Sequence, residues 1–268
     1  MSDDRPTLAM RAAVVGDNTI DRYLGLSQAE YVGGNAVNVA VQLSNRGGPI
    51  GYFGAIGTDA EGATIERALT LTNVDLDGLV RMDGPSAVTQ IRLTETGERV
   101  FEREEFGVTA QYYPTADTIE RIASAPWVHI GMLPRSAELV SELIAQNPSL
   151  SISQDCAVSS GHRSLSVAFD SASEDSDRAD RLALDAISDG ATLSVVTLGS
   201  LGVIAFDGVT KWYQPAVPAQ VIDTTGAGDS FAAGFINARL GGASVQDALA
   251  AGAQWAAEAC QYLAGFPQ

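Results

Sequence analysis

The 268-residue sequence has little positive charge. Lys211 is its only lysine, and 16 lysine and arginine residues stand against 33 aspartate and glutamate residues, which gives a formal net charge of −17. Nucleic acids and anionic membrane surfaces are bound through basic patches. The charge balance therefore argues against a nucleic-acid partner and against a membrane partner.

Cysteine and histidine are also scarce. Cys156 and Cys260 have no paired spacing, and only two histidines are present. This composition argues against a disulfide framework and against a structural zinc site, and it fits a reducing compartment. The first 17 residues lack a basic segment followed by a long apolar run, and no apolar stretch reaches membrane-spanning length. We therefore expect a cytoplasmic protein.

Strand and helix patterns alternate along most of the chain. A buried strand is predicted over 8–17, and a helix over 33–48 opens on glycines. Repeated strand–helix units imply an α/β fold with a mainly parallel sheet covered on both faces. Further strands are predicted at 50–57, 127–130, 150–154, 167–170, 193–197 and 203–206, and further helices at 60–71, 115–124, 136–146, 176–187, 228–240 and 245–263.

Two segments depart from this alternation. Residues 18–32 are short and mixed and predict two small strands, while 86–104 alternates apolar and polar residues around a Glu95-Thr96-Gly97-Glu98 turn. The second pattern is typical of a β-hairpin with one solvated face. We expect these two segments to extend from one edge of the main sheet and to form a lid.

The stretch DTTGAGDSFAAGF (223–235) places glycines directly before a helix of small residues. Gly226 and Gly228 expose backbone amides at a helix N-terminus, which is an anion-binding arrangement. Asp229 would then lie beside the anion without neutralising it, and a plausible task for it is to accept a proton from an attacking hydroxyl. The alternative is that an acidic or hydroxyl side chain of this stretch only caps the helix.

A second polar cluster lies near the N-terminus. It combines Asp17 and Asn18, after the first strand, with Gly33, Gly34, Asn35 and Asn38 at a strand-to-helix turn. Short amides suit polyhydroxyl ligands, and open α/β sheets bind ligands at the carboxyl ends of strands. A helix cap followed by polar surface is the alternative interpretation.

Other motifs are less specific. TLGSLGV (197–203) joins two strands through glycines. Either a bound nucleotide or a tight turn would explain these glycines. Acids in DSASED (170–175) could reach a metal or form a solvated loop. His129 lies in a strand-like segment and is expected in the core, while His162 lies in a polar loop and carries no signal.

GGNAVNVAVQLSNRGG (33–48) and DTTGAGDSFAAGF together resemble the paired signatures of the ribokinase (PfkB) family of carbohydrate kinases. TLGSLGV and the hairpin also follow the family's order, so the resemblance covers nearly the whole chain. GDN at 16–18, GGNAVNVAV and TQIRL…ERVF are most similar to the fructoselysine 6-kinases within it. The resemblance implies a ribokinase-like three-layer α/β/α sandwich over residues 1–268, with lid strands from about 18–32 and 86–106.

The resemblance also assigns roles to matching positions. Asp229 would be the catalytic base, and Gly226, Ala227 and Gly228 would form the anion hole. The sugar would be held by Asp17, Asn18, Gly33, Gly34, Asn35 and Asn38. The nucleotide would lie along Thr197, Gly199, Gly202, Thr225 and Gly228.

The expected cofactors are ATP and Mg²⁺. The family's Asn-x-x-Glu motif, which helps organise magnesium, is matched by Ser171-Ala172-Ser173-Glu174, so the acid is retained and the amide is replaced. Glu174 is therefore the expected magnesium contact, through water. The family's monovalent-cation loop would lie beside Asp223 and Thr225, and the C-terminal GFPQ ends early relative to it, which leaves potassium dependence open.

The expected substrate is a fructosamine-type sugar phosphorylated at its terminal hydroxyl. An Amadori compound such as fructoselysine carries a secondary amine that is cationic near neutral pH, which suits an acidic protein better than a sugar phosphate does. Its amino-acid tail would be met by the lid residues Gln90, Arg92 and Arg103. A plain ketose or a ribose-like sugar is the alternative.

Rival functions find less support in the sequence. A dinucleotide-binding oxidoreductase needs Gly-x-Gly-x-x-Gly after its first strand, and GDNTID (16–21) does not supply it. A serine hydrolase at Ser230 needs a histidine base in a suitable context. A non-catalytic sugar-binding relative stays open, although it would have no use for Asp229 beside a phosphate. We expect a kinase, and a homodimer formed through the lid.

Overall fold

The computed structural model describes residues 9–25, 30–94 and 99–268. Its strands, numbered in chain order, are β1 (Ala12–Val15), β2 (Thr19–Tyr23), β3 (Glu30–Gly33), β4 (Ile50–Gly57), β5 (Val74–Met82), β6 (Val88–Leu93), β7 (Arg99–Glu105), β8 (Trp127–Ile130), β9 (Ser151–Asp155), β10 (Val167–Ser171), β11 (Ser194–Thr197), β12 (Val203–Phe206) and β13 (Lys211–Gln214). Its α-helices are α1 (Asn35–Gly47), α2 (Ala60–Leu69), α3 (Ala116–Ala123), α4 (Ser136–Gln146), α5 (Ser176–Asp189), α6 (Ala227–Leu240) and α7 (Val245–Ala259).

The strands form two sheets. The large sheet has the order β13-β12-β11-β10-β9-β8-β1-β4-β5, and the small sheet has the order β3-β2-β6-β7. In the large sheet all neighbours from β11 to β5 are parallel, while β12 and β13 add antiparallel pairs at one edge. The parallel strands therefore bring their carboxyl ends to a single edge, where Asp17, Asp155, Ser171 and Thr197 are found.

The side chains of β1 show why helices cover both faces of the large sheet. Ala12 and Val14 belong to one apolar core, and Ala13 and Val15 belong to another. Successive residues of a strand point to opposite faces. The first core includes residues of α1, α2, α6 and α7, and the second includes residues of α3 and α4. The predicted three-layer α/β/α sandwich with a mainly parallel sheet is confirmed.

Two edge strands were not predicted from the sequence. β5 carries Asp75, Asp77 and Gly78, residue types that are depleted in strands, and seven of its nine residues are partly or fully exposed. β13 has alternating exposed and half-exposed residues. Edge strands lack the apolar runs of buried parallel strands, which removes the sequence signal.

The small sheet occupies the two segments predicted as lid. β2 and β3 fall within 18–32, and β6 and β7 form the predicted hairpin within 86–106. The turn at 95–98 lies outside the described residues. Within the described part of the chain, no helix is both long and apolar enough to cross a membrane.

Tyr23 connects the lid to the main body. Its hydroxyl donates to Asp223 Oδ2 over 2.6 Å and lies 3.1 Å from Thr225 Oγ1. Asp223 is fully buried and also accepts from the backbone N–H groups of Thr225 (2.8 Å) and Ala264 (2.9 Å). Burial, followed by the Asp223 contact, raises the pKa of Tyr23 well above its usual range, so the phenol remains a donor.

Tyr23→Phe should lower the free energy of unfolding by about 1.5–3 kcal/mol, the range for a hydrogen bond to a charged group. Asp223 would keep two backbone donors but lose the phenol. Urea unfolding measures the change. The control is Tyr31→Phe, because the Tyr31 ring packs edge-on against Tyr23 at 5.5 Å. Equal losses in both variants would contradict a specific role for the Tyr23 hydroxyl.

Candidate active site

The turn before α6 is built around Gly226. Its φ of 74° is left-handed, and a Cβ there would lie 2.6 Å from the Cα of Gly265, so the position requires glycine. Gly228 is different, because it is exposed and an added Cβ would have no heavy atom within 4 Å. The first turn of α6 therefore has open space outside its backbone, as an anion site at a helix N-terminus needs.

Asp229 lies in this first turn and is 8% exposed. Its Oδ1 accepts from Asn35 Nδ2 over 2.6 Å, and its Oδ2 accepts from Asn38 Nδ2 over 2.7 Å. Asn38 is itself buried and packs against Gly265, where a Cβ would lie 2.0 Å from Asn38 Oδ1. The two predicted motifs therefore meet, and the amides orient a buried carboxylate at a helix N-terminus.

Asp155 also belongs to this cluster, although sequence analysis did not identify it. Its Oδ2 accepts from the same Asn35 Nδ2 over 2.6 Å, and its Oδ1 accepts from the N–H of Ala157 over 2.9 Å. Asp155 is the last residue of β9. Its position at the carboxyl end of a predicted parallel strand was the available signal.

Asp17, a predicted sugar contact, also holds the start of α1. Its two carboxylate oxygens accept from the N–H groups of Asn35 (2.8 Å) and Ala36 (3.0 Å) at the start of α1. Burial raises the pKa of Asp17 to about 6, although these N–H groups act in the opposite direction. At neutral pH the carboxylate is therefore ionised and caps the helix that carries both asparagines.

Asn18 and Gly33 are packed into the structure. Asn18 is fully buried, and its Nδ2 donates to Tyr52 OH (2.9 Å) and to the carbonyl of Ala55 (2.8 Å). A Cβ added at Gly33 would lie 2.3 Å from Asp21 Oδ2, so Gly33 packs against Asp21. Sequence analysis did not identify Asp21. Asp21 shares a face of β2 with Tyr23, which reaches Asp223. Asn18, just before β2, therefore faces the large sheet at Tyr52 and Ala55, and Asp21 on β2 lies against Gly33 just before α1.

Position 34 requires glycine for a steric reason of its own. Its φ is 112°, and a Cβ would lie 2.6 Å from the Cα of Asn18. Any side chain here would separate the start of α1 from the end of β1. The glycine thus allows the approach that lets Asp17 cap α1.

The structure does not bring Gln90, Arg92 and Arg103 to this cluster. Gln90 pairs directly with Arg22 on β2 and with Arg103 on β7, so these residues share the face opposite to Asp21 and Tyr23. Arg92, two residues from Gln90, also lies on that face. Arg92 Nε donates to Glu102 Oε1 over 2.7 Å, and Arg103 pairs with Glu105. These side chains point away from the cluster because successive residues of a strand point to opposite faces of the sheet.

Three of the residues predicted to bind the nucleotide, Thr197, Gly199 and Gly202, lie just before β12. Thr197 ends β11 opposite Ser171, and its Oγ1 donates to the carbonyl of Asp170 over 3.3 Å. Gly199 is exposed, with a φ of 56°, and its Cβ position lies 3.5 Å from Glu174 Cγ. Ser200 Oγ donates to Glu174 Oε1 over 2.5 Å. The structure thus brings Glu174 to the glycine loop.

Gly202 and Thr225 are explained by packing. A Cβ at Gly202 would lie 2.2 Å from the carbonyl oxygen of Gln214, so β13 requires glycine there. Thr225 is 3% exposed and faces the Tyr23 hydroxyl. His129 is fully buried beside Ser153 Oγ at 3.0 Å, and burial lowers its pKa to about 3, as a core histidine requires.

Comparison with known proteins places this geometry in a family. The profile described as "pfkB family carbohydrate kinase" matches residues 19–146 and 161–265. Fructoselysine 6-kinase of *Escherichia coli* (strain K12) is 34% identical over 93% of this chain and 97% of its own. Fructosamine kinase FrlD of *Bacillus subtilis* (strain 168) is 31% identical over 96% of this chain and 93% of its own.

Solved structures show the same fold. *Arabidopsis thaliana* ribokinase, complexed with ribose and ATP, superposes with a TM-score of 0.86 at 22% identity, covering 97% of this chain and 96% of that one. Ribokinase from *Cryptococcus neoformans* var. *grubii* serotype A, in complex with ADP, gives a TM-score of 0.79 at 21% identity, covering 96% and 95%. With the matching profile and relatives above 30% identity, the chain belongs to the pfkB family of carbohydrate kinases.

Proposed function

We propose that this carbohydrate kinase transfers the γ-phosphoryl group of ATP to the terminal hydroxyl of a fructosamine-type sugar, with Asp229 as general base. The observation that carries the proposal is the placement of Asp229. Its carboxylate is buried in the first turn of α6, oriented by Asn35 and Asn38, beside the open space at Gly228. ATP dependence and a sugar acceptor agree with the family and its relatives.

The two asparagine amides explain how a carboxylate can act as a base here. Hydrogen bonds donated to a carboxylate favour its charged form, and the N-terminus of α6 adds to that preference. A carboxylate oxygen can accept more than one hydrogen bond, so a sugar hydroxyl can donate to Asp229 while the amides stay in place. The proton then passes to the carboxylate as the hydroxyl oxygen bonds to the γ-phosphorus and the bond from that phosphorus to the bridging oxygen breaks, which releases ADP.

Few protein cations are available to balance the negative charge of the ATP phosphates. The backbone amide of Gly228, in the first turn of α6, is a directed N–H group where a lysine is missing, while the N–H of Ala227 donates to the carbonyl of Thr224 over 3.2 Å. Glu174 is an exposed carboxylate held beside Gly199 by Ser200, and oxygen ligands of this type suit Mg²⁺. We therefore assign Glu174 to the magnesium site, directly or through water. Bound Mg²⁺ would neutralise charge on the phosphate oxygens.

The acidic residues support a fructosamine substrate. Asp229, Asp155 and Asp21 place three carboxylates along the edge where α1 begins, while the lid arginines face away. Carboxylates accept hydrogen bonds from sugar hydroxyls and attract the cationic secondary amine of an Amadori compound. Relatives named fructoselysine 6-kinase and fructosamine kinase agree with this class. Recognition of the amino-acid tail by Gln90, Arg92 and Arg103 stays a prediction, and in a single chain these side chains lie on the face of the lid opposite to Asp21 and Tyr23.

A homodimer through the lid stays a prediction. β7 forms one outer edge of the small sheet, and Phe101 on it is 48% exposed. An edge strand with an exposed aromatic side chain is a suitable surface for a second copy.

Asp229→Asn should lower kcat by roughly a hundredfold or more while ATP still binds, because the amide keeps the shape but cannot take the proton. Steady-state kinetics and nucleotide titration measure the two effects. Asp247→Asn is the matched control, since Asp247 lies in the first turn of the adjacent helix α7. Near-normal turnover by Asp229→Asn would remove the base assignment. Sugar binding without turnover in the wild type would favour a non-catalytic relative.

Asn38→Leu should lower kcat at least tenfold with little change in the KM for sugar, since it removes one donor from Asp229. It should also move the acidic limb of the pH–kcat profile upward, because a carboxylate with fewer donors holds its proton more tightly. The control is Gln42→Leu, one turn further along α1, where a buried amide contacts Tyr262 OH and the carbonyl of Gly265 instead. A similar acid-limb shift in both variants would indicate a structural effect only.

The kcat/KM for fructoselysine should exceed those for fructose and for ribose. Each tenfold preference corresponds to about 1.4 kcal/mol of transition-state binding. An ADP-release assay on the three substrates at equal Mg²⁺ and ATP measures the order. A tenfold preference for either free sugar would refute the fructosamine assignment and leave the kinase assignment intact.

A further inference from the structure

The loop between β9 and β10 brings together three side chains that the kinase site does not use. They are Cys156, just after β9, His162 in the loop, and Asp170 near the end of β10. One ligand atom from each lies within 4.8 Å of the other two. Asp170 is 8% exposed, while Cys156 and His162 are half-buried. The cluster is therefore shielded but open to solvent on one side.

Asp170 is the least satisfied member of this cluster. Its Oδ2 is buried and has no hydrogen-bond partner among the described residues. The nearest cationic candidate, His162 Nε2, lies 3.7 Å away, which is too far for a hydrogen bond. Burying a carboxylate oxygen without a partner is costly. Burial accordingly raises the pKa of Asp170 to about 6.

His162 is oriented by a second carboxylate. Asp189 Oδ2 accepts from the backbone N–H of His162 over 2.9 Å and lies 3.4 Å from its Nδ1. In the tautomer that carries its proton on Nδ1, this proton faces Asp189 and the lone pair of Nε2 faces Asp170. Histidines that bind metals are commonly held by a carboxylate at the other ring nitrogen in this way.

Cys156 supplies the third donor. Among the described residues its sulfur makes long contacts, accepting from Gln154 Nε2 over 3.7 Å and donating to the carbonyl oxygens of Gln154 (3.7 Å) and Gly161 (3.9 Å). Burial and then the neighbouring Asp170 raise the pKa of the thiol far above its usual range. The same negative surroundings attract a metal cation, which would stabilise the thiolate as a ligand.

We propose that Cys156 Sγ, His162 Nε2 and Asp170 Oδ2 bind one Zn²⁺ ion, with water in the fourth position. Zinc takes nitrogen and oxygen ligands at about 2.0–2.2 Å in tetrahedral geometry, which separates two such ligands by about 3.4 Å. The 3.7 Å gap between Nε2 and Oδ2 is close to this distance. A thiolate and an imidazole favour zinc over magnesium, so this site differs from the magnesium site proposed at Glu174.

The composition argued against a structural zinc site, and sequence spacing gave no sign of this one. The fold creates it, because Cys156 follows the parallel strand β9 directly, Asp170 lies on the neighbouring strand β10, and the loop returns His162 to both of them. The site also adjoins the kinase cluster, since Asp155 precedes Cys156 and accepts from Asn35. A bound ion would fix the segment that follows Asp155.

Cobalt titration of the full-length, chelator-treated protein tests the proposal. We expect one equivalent of Co²⁺ to give visible d–d bands and a thiolate-to-cobalt charge-transfer band, both removed by Zn²⁺ but not by excess Mg²⁺. Cys156→Ser should abolish the charge-transfer band, and His162→Gln and Asp170→Asn should weaken binding at least tenfold. Cys260→Ser is the matched control and should behave as the wild type.

Thermal unfolding supplies a second readout that does not depend on kinase activity. Zn²⁺ should raise the Tm of the wild type and of Cys260→Ser, because it binds the folded state, and should not raise that of Asp170→Asn. Without metal, Asp170→Asn should be at least as stable as the wild type, since it removes an unpaired buried charge. Absence of the charge-transfer band in the wild type, or unchanged metal binding in any one of the Cys156, His162 or Asp170 variants, would overturn the site.

Discussion

The structure depends on keeping one carboxylate charged inside a protein that is already strongly acidic. Asp229 is almost fully buried, and an ionised buried carboxylate is stable only when its oxygens are hydrogen-bonded. Asn35 and Asn38 supply these bonds from α1, so α1 and α6 must lie side by side. The backbone of Gly265 lies close to Asn38 and to Gly226, as the same requirement demands. A Cβ at Gly265 would overlap the side-chain amide of Asn38.

The same constraint explains the second layer of acidic residues. Asp17 holds the N-terminus of α1 through two N–H groups and thereby fixes both asparagines, although no ligand contact is needed for that task. Asp223 holds the turn before α6 and receives the Tyr23 hydroxyl from the lid. Asp17, Asp223 and Asp229 are each satisfied by backbone N–H groups or neutral side chains. A chain with few cations can therefore bury several carboxylates, and phosphate recognition can use the same kind of donor.

The sequence predicted the fold, because alternating strand and helix patterns imply a mainly parallel sheet, and the family resemblance implied that the two glycine motifs contribute to one site. The sequence did not predict which way the side chains point around the short strand β2. Asn18 and Asp21 are three residues apart, and only the structure shows that Asn18 donates to Tyr52 while Asp21 packs against Gly33. The face of the lid on which Gln90, Arg92 and Arg103 lie is likewise shown only by the strand pairing. Asp155 and the edge strands β5 and β13 depend on tertiary neighbours, which a single sequence does not display.

The lid and the catalytic helix are connected through one turn, and this connection has a consequence for catalysis. Tyr23 on β2 donates to Asp223, Asp223 accepts from Thr225, and α6 begins two residues later with Asp229 in its first turn. Asp21, on the same face of β2 as Tyr23, lies against Gly33 just before α1. A movement of β2 would therefore act on the starts of both helices whose side chains form the Asp229 cluster. In a kinase that excludes water by closing a lid, such a connection would align the proposed base, Asp229, only when the lid is in place.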